Sequence, residues 1–178
     1  MIDWDDYPIR TPQQRLARAK RALGVKSMAE FEQEAIKNKE RHNHLFEKYI
    51  VQRKSMDVKS MSIEALLDRF EEICMVESEL QHDMFDEGVK KFNQCQDALF
   101  RVLDELKARG PDARRMLSRF YTHFNDFIRL KAATLSYRVA PEPARRVLEE
   151  LKKMEPIDEA YVAGATLARI DNGTSMLE

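Results

Sequence analysis

The C-terminal part of this sequence repeats itself, and a repeat of this length commits a chain to stacking similar units. Ala113-Arg114-Arg115-Met116-Leu117 recurs 31 residues later as Ala144-Arg145-Arg146-Val147-Leu148, and Ala133-Thr134-Leu135 recurs 32 residues later as Ala165-Thr166-Leu167. One such unit cannot bury its own apolar side, so neighbouring units must cover each other. The pattern predicts helices at 112–123 and 126–139 in the first unit, and at 143–154 and 157–170 in the second. Ala132, Ala133, Gly164 and Ala165 allow close helix approach, while Leu117, Phe120, Leu148 and Leu151 fill the space between layers. The Ala-Thr-Leu segments are expected at equivalent positions.

Upstream of the repeat the periodicity is also helical. At 100° per residue, Ile63, Leu66, Leu67, Phe70, Ile73, Cys74, Leu80 and Met84 share an arc about 140° wide. Glu64, Asp68, Glu71, Glu79 and Asp86 lie opposite, which predicts one acidic strip on a helix at about 63–85. A break at Gly88 or its neighbours then separates this helix from a second, carrying Val89, Phe92, Leu99, Val102, Leu103 and Leu106 and closed by Gly110-Pro111. Glu77 and Gln81 sit on the core arc, and Gln96 sits among apolar neighbours. Together with Asn93 they are expected to form a polar layer, because an unpaired buried polar group costs about 1–3 kcal/mol.

Breakers are scarce, 5 Gly and 6 Pro in 178 residues, so the fold class is all-α. Thr11-Pro12-Gln13-Gln14 and Ser27-Met28-Ala29-Glu30 start two further helices, the first ending at Gly24. Met28, Phe31, Ala35, Leu45, Phe46, Tyr49 and Ile50 give the second a broken apolar stripe around a polar middle at 37–43. Residues 1–55 therefore read as an arm and helical extension, and residues 56–178 as the main domain.

The middle and end of the chain resemble a known pattern. Asn125-Asp126-Phe127-Ile128-Arg129-Leu130-Lys131-Ala132-Ala133 resembles the turn and second helix of a HEAT repeat. With Asn93, Glu105-Leu106-Lys107-Ala108-Arg109 and the segment from Ala140 to Glu149, it makes residues 62–173 similar to the bacterial HEAT-like family called domain of unknown function 2019. The resemblance implies a short α-solenoid of helical hairpins, in which Arg129 ties one repeat to an acidic residue of the next. It implies no activity, and Tyr161, standing where the first repeat has Arg129, fits a terminal capping repeat.

Little in the sequence points to catalysis. Glu79-Leu80-Gln81-His82 has the spacing of one metal-binding helical turn, but a di-iron bundle needs two such turns and two further Glu. His42 and His44 lie about 200° apart on a helix and cannot chelate together. Gly-rich phosphate loops, nucleophile elbows and Cys-x-x-Cys motifs are all missing. Cys74 and Cys95 read as apolar packing residues. No cofactor is expected, and the protein is read as a non-enzyme.

Charge is segregated although the total is −1: residues 57–87 hold ten acidic and two basic side chains, and residues 112–153 hold ten basic and five acidic. No run reaches the roughly 18 apolar residues of a membrane span, and the N-terminus lacks the features of a signal peptide, so a cytoplasmic location is expected. The predicted function is binding of a protein partner, as an immunity protein that neutralises a toxin or as an adaptor. The partner would be basic and would meet Glu64, Asp68, Glu71, Glu79 and Asp86. Cover of that strip by the first helix, through Arg15, Arg18 and Arg21, is the competing arrangement. A nucleic-acid-binding surface built on the paired arginines is the alternative function.

Overall fold

The computed structural model describes residues 28–80, 86–154 and 158–174, and divides the chain into two compact units, residues 1–44 and 45–178. The expected helix at 11–24, with Arg15, Arg18 and Arg21, lies outside the described residues, as do Gln81 and His82. All the described regular structure is helical, and no described helix is long and apolar enough to cross a membrane.

Helix α1 (Met28–Phe46) is helical throughout its polar middle. The unit boundary falls earlier than the 55/56 boundary read from sequence. Phe46 and Ile50 are buried in the core of the second unit, and Leu45 and Tyr49 pack against it. Four apolar side chains within six residues thus attach this stretch to the second unit. A π-helical turn (Glu47–Val51) and a short 3-10 turn (Val58–Ser60) carry the chain to α2 (Ile63–Leu80). Ser62 caps α2, its hydroxyl accepting from Ala65 N–H at 3.1 Å.

Helix α3 (Asp86–Ala108) follows. Gly88 lies inside it, and Asp86 opens α3 instead of belonging to α2. Gly110, with φ of +100°, ends this stretch in a conformation that L side chains rarely adopt. Pro111 then starts α4 (Pro111–Arg115), which tightens into a 3-10 segment, Met116–Phe120. Helix α5 (Asp126–Ser136) is capped by Asn125, whose Oδ1 accepts from Ile128 N–H at 3.3 Å. Helices α6 (Pro141–Lys152) and α7 (Asp158–Asp171) complete the unit.

Three hairpins pack in series: α2 with α3, the 3-10 segment with α5, and α6 with α7; α5 also contacts α2, α6 and α7. In the first halves of the two repeats Ala113 matches Ala144 and Leu117 matches Leu148 in burial, whereas Met116 is exposed where Val147 is buried. In the second halves, burial follows an offset of 31 residues, pairing Ala132 with Ala163 and Ser136 with Leu167. The Ala-Thr-Leu triplets are therefore out of step. Ala133 is buried and Ala165 half-buried, while Leu135 is half-buried and Leu167 buried. One residue turns a helix face by about 100°, so equal letters at an offset of 32 meet different neighbours.

Directed polar contacts hold the hairpins in register. The Arg114 guanidinium, buried, donates to Leu135 C=O at 2.6 Å, and Arg145 reaches Asp171 at 2.8 Å near the end of α7. Arg129 donates to Tyr121 C=O at 3.0 Å, to Asp126 at 2.8 Å and to Glu150 of α6 at 3.0 Å. It thus ties two successive hairpins together.

Candidate functional site

The acidic residues of the predicted strip have different surroundings. Glu64 is exposed on the first turn of α2. Asp68 pairs with Arg119 at 2.5 Å, and Glu71 lies 3.2 Å from His123 Nε2. Arg119 belongs to the 3-10 segment Met116–Phe120, and His123 to the stretch that joins it to α5. Glu79 is half-buried with an interaction of its own. Asp86 belongs to α3, so the five residues do not share one helix.

The polar layer is present in a different composition. Glu77 on α2 is fully buried, with 0% exposure. Gln96 Nε2 of α3 and Lys131 Nζ of α5 both donate to its Oε1, the latter at 3.0 Å. Oε2 is buried without a hydrogen-bond partner among the described residues. Burial raises the pKa of this carboxyl, and Lys131 opposes the shift. Asn93 is exposed and takes no part. Lys131 stands 54 residues from Glu77 in sequence, and only its place beside Ala132 and Ala133 on a small-residue face hinted that it points inward. Cys74 and Cys95 are buried free thiols; burial first, then the charge of Glu77, pushes both up, Cys95 to about 12.

Gln96 and Lys131 also face a cavity of about 400 Å³ between α3, α5 and α7. Leu99, Leu103, Phe127 and Leu130 make its walls apolar, and Thr134, Thr166 and Arg169 add polar groups. Phe100, 55% exposed, and Val162, 45% exposed, stand at its rim. The volume falls in the range of ligand-sized pockets, and the combination of apolar wall and few polar groups is the usual recognition chemistry. Among the described residues no group of three His, Cys, Asp or Glu is arranged to hold a metal ion.

Residues 64–171 match the family described as domain of unknown function (DUF2019). The chain belongs to this family. The DUF2019 match contains the whole Glu77–Gln96–Lys131 contact and every residue lining the 400 Å³ cavity. A solved structure, the protein RPA1889 from Rhodopseudomonas palustris CGA009, is similar at 29% identity with a TM-score of 0.62, over 68% of this chain and 98% of that one. No curated protein matches. The DUF2019 region begins after Arg53, which nevertheless pairs with Glu72 of α2 at 2.5 Å.

Proposed function

We propose that this DUF2019 protein is a non-catalytic protein-binding module, an adaptor or a toxin-neutralising immunity protein, that grips its partner on the face formed by α3, α5 and α7. The observation that carries the reading is the 400 Å³ apolar-walled cavity with the exposed Phe100 and Val162 at its rim. An apolar side chain of a partner fills such a cavity, and an aromatic at the rim supplies the contact area typical of interface anchors. Lys131 is taken by Glu77, and Arg169 and Glu159 both line the cavity, so the partner segment is one that inserts an apolar side chain with polar groups beside it.

This face is a better candidate than the acidic strip, where Asp68 and Glu71 already have Arg119 and His123. Nucleic-acid binding is weakened by the same kind of accounting. Arg114, Arg115, Arg119, Arg129 and Arg145 all direct their guanidinium groups to carbonyl oxygens or carboxylates of this chain.

A photo-crosslinking residue at position 100, compared with one at position 64, tests the assignment in the source cells. Once the crosslinked protein is identified and purified, Phe100→Asp and Arg169→Glu should each weaken its binding at least about tenfold. Asp68→Lys and Glu71→Lys should change it little. Crosslinking only from position 64, or equal loss in the Asp68 and Glu71 variants, would refute the choice of face.

A further inference from the structure

A second cavity, of about 150 Å³, lies between α3 and the turn that precedes α2. Its lining includes Arg53, Lys54, Arg69 and Arg101, with Asp97 as the acidic residue. The three arginines differ in how their donors are used. Arg101 donates to the carbonyl oxygens of Lys54 and Met56 at 2.8 and 2.9 Å, which fixes the turn. Arg53 Nη1 and Arg69 Nη1 converge on the same Glu72 oxygen, at 2.5 and 3.3 Å.

Arg69 is the informative group. It is 4% exposed, yet the 3.3 Å contact from Nη1 is its one hydrogen bond among the described residues. A guanidinium carries five N–H donors, and a buried charge is costly unless those donors are matched. Arg69 also lines the cavity, so an anion bound there can take the donors that Glu72 leaves unmatched. Burial pulls the Arg69 pKa down, Glu72 opposes that, and Arg53 and Arg101 add to the lowering.

From this geometry we infer that the cavity is a binding site for a phosphoryl group, held by Arg69 at the floor with Arg53, Lys54 and Arg101 around the mouth. Four basic side chains against Asp97 and Glu72 leave a charge of +2, which a phosphate dianion neutralises. Donors arriving from several side chains suit a tetrahedral oxyanion, and arginine forks match phosphate oxygens in pairs. The small volume admits the phosphoryl group alone, so the rest of any ligand extends through the mouth. Ile50, Val58 and Val102 provide an apolar wall for it. This site lies apart from the α3/α5/α7 face, and its fate does not depend on the binding role proposed there.

The test is titration of the full chain with inorganic phosphate and, separately, with glycerol phosphate, at constant ionic strength with chloride as the control anion. Backbone and arginine Nε–H resonances are followed by NMR. The expected result is saturable one-to-one binding with shifts concentrated at residues 50–58, 69 and 94–102. Tighter binding of glycerol phosphate identifies an esterified ligand, and equal binding identifies free phosphate. Arg53→Gln, at a partly exposed position, should weaken the affinity at least about tenfold, and Arg145→Gln should leave it unchanged. Shifts spread over the surface, shifts matched by chloride, or an unaltered affinity in Arg53→Gln would overturn the assignment. The localisation of shifts in the wild-type protein decides the matter even if an arginine variant folds poorly.

Discussion

Replacing Lys131 by Met tests whether Glu77 is a charged group held in the core by one cation. The ammonium lies 3.0 Å from Glu77 Oε1, and at an effective dielectric of about 20 that separation corresponds to a gross attraction of about 5–6 kcal/mol. The net loss is smaller, because a stranded buried carboxylate takes up a proton. If Glu77 is protonated in the folded variant and ionised in the unfolded chain, the cost cannot exceed about 1.36 kcal/mol per pH unit above an unfolded pKa of about 4.3. That ceiling is about 4 kcal/mol near pH 7.5 and about 1 kcal/mol near pH 5. Loss of the ammonium from the face of Phe127, 5.1 Å from the ring centroid, adds about 0.5–1 kcal/mol that does not depend on pH.

The sign follows from the direction of the shift. Burial raises the folded pKa of Glu77, so the folded state holds its proton more tightly, and this contribution to stability is lost as pH rises through that pKa. Removing Lys131 moves the folded pKa higher still and extends the loss toward neutral pH. Urea unfolding followed by circular dichroism should therefore show a cost of about 2–4 kcal/mol near pH 7.5, shrinking to about 1–2 kcal/mol near pH 5 once the pH-independent part is included. Glu77→Gln in the same background should restore most of the difference, since no charge is then stranded. Equal losses at both pH values, or no rescue by Gln, would refute the reasoning.

Three further outcomes are expected. Ala133→Leu should cost about 1–3 kcal/mol by overpacking a fully buried position, whereas Ala165→Leu should cost less, and thermal unfolding of the two variants would reveal the offset of 31 if this order holds. Arg129→Ala should lose about 1.5–3 kcal/mol in urea titrations, and Arg129→Lys should recover little, since one ammonium cannot reach Tyr121 C=O, Asp126 and Glu150 together. Cys74 and Cys95 should resist a thiol reagent in the native protein at mildly alkaline pH and react on unfolding, since both are buried and held in the thiol form.

Periodicity made α2 legible because nearly every core residue of that helix lies on one arc, and Leu66, Leu67, Phe70, Ile73 and Cys74 are all buried. The first halves of the repeat were legible for the same reason, Ala113 and Leu117 being buried like Ala144 and Leu148. The second halves were not, because three matching letters outweigh a one-residue shift in a text comparison but not on a helix. Glu77 and Gln96 were found by their position on apolar stripes, which needs only local spacing. Lys131 was missed because its partner lies three helices away, and no local rule pairs residues 54 apart. The arginine cavity was hidden by the domain boundary, which put Arg53 in an extension while its partner Glu72 stood in the main domain.

Glu77, Arg114 and Arg129 occupy one kind of place in this fold. Glu77 is shared by α2, α3 and α5, Arg114 joins α4 to the end of α5, and Arg129 joins α5 to α6. Apolar contacts between helices are non-directional, so a shift is opposed there by side-chain shape alone. A guanidinium or carboxylate tolerates no such shift, because moving it by one helical position leaves a buried charge without its partner. The polar contacts therefore set how each hairpin is rotated against the next. That rotation decides which residues of α3, α5 and α7 face one another, and so the shape of the cavity they enclose. Gln96 and Lys131 belong to both systems, fixing the register with Glu77 and lining the cavity. A partner side chain entering that space would meet walls held in place by the same contacts that align the hairpins.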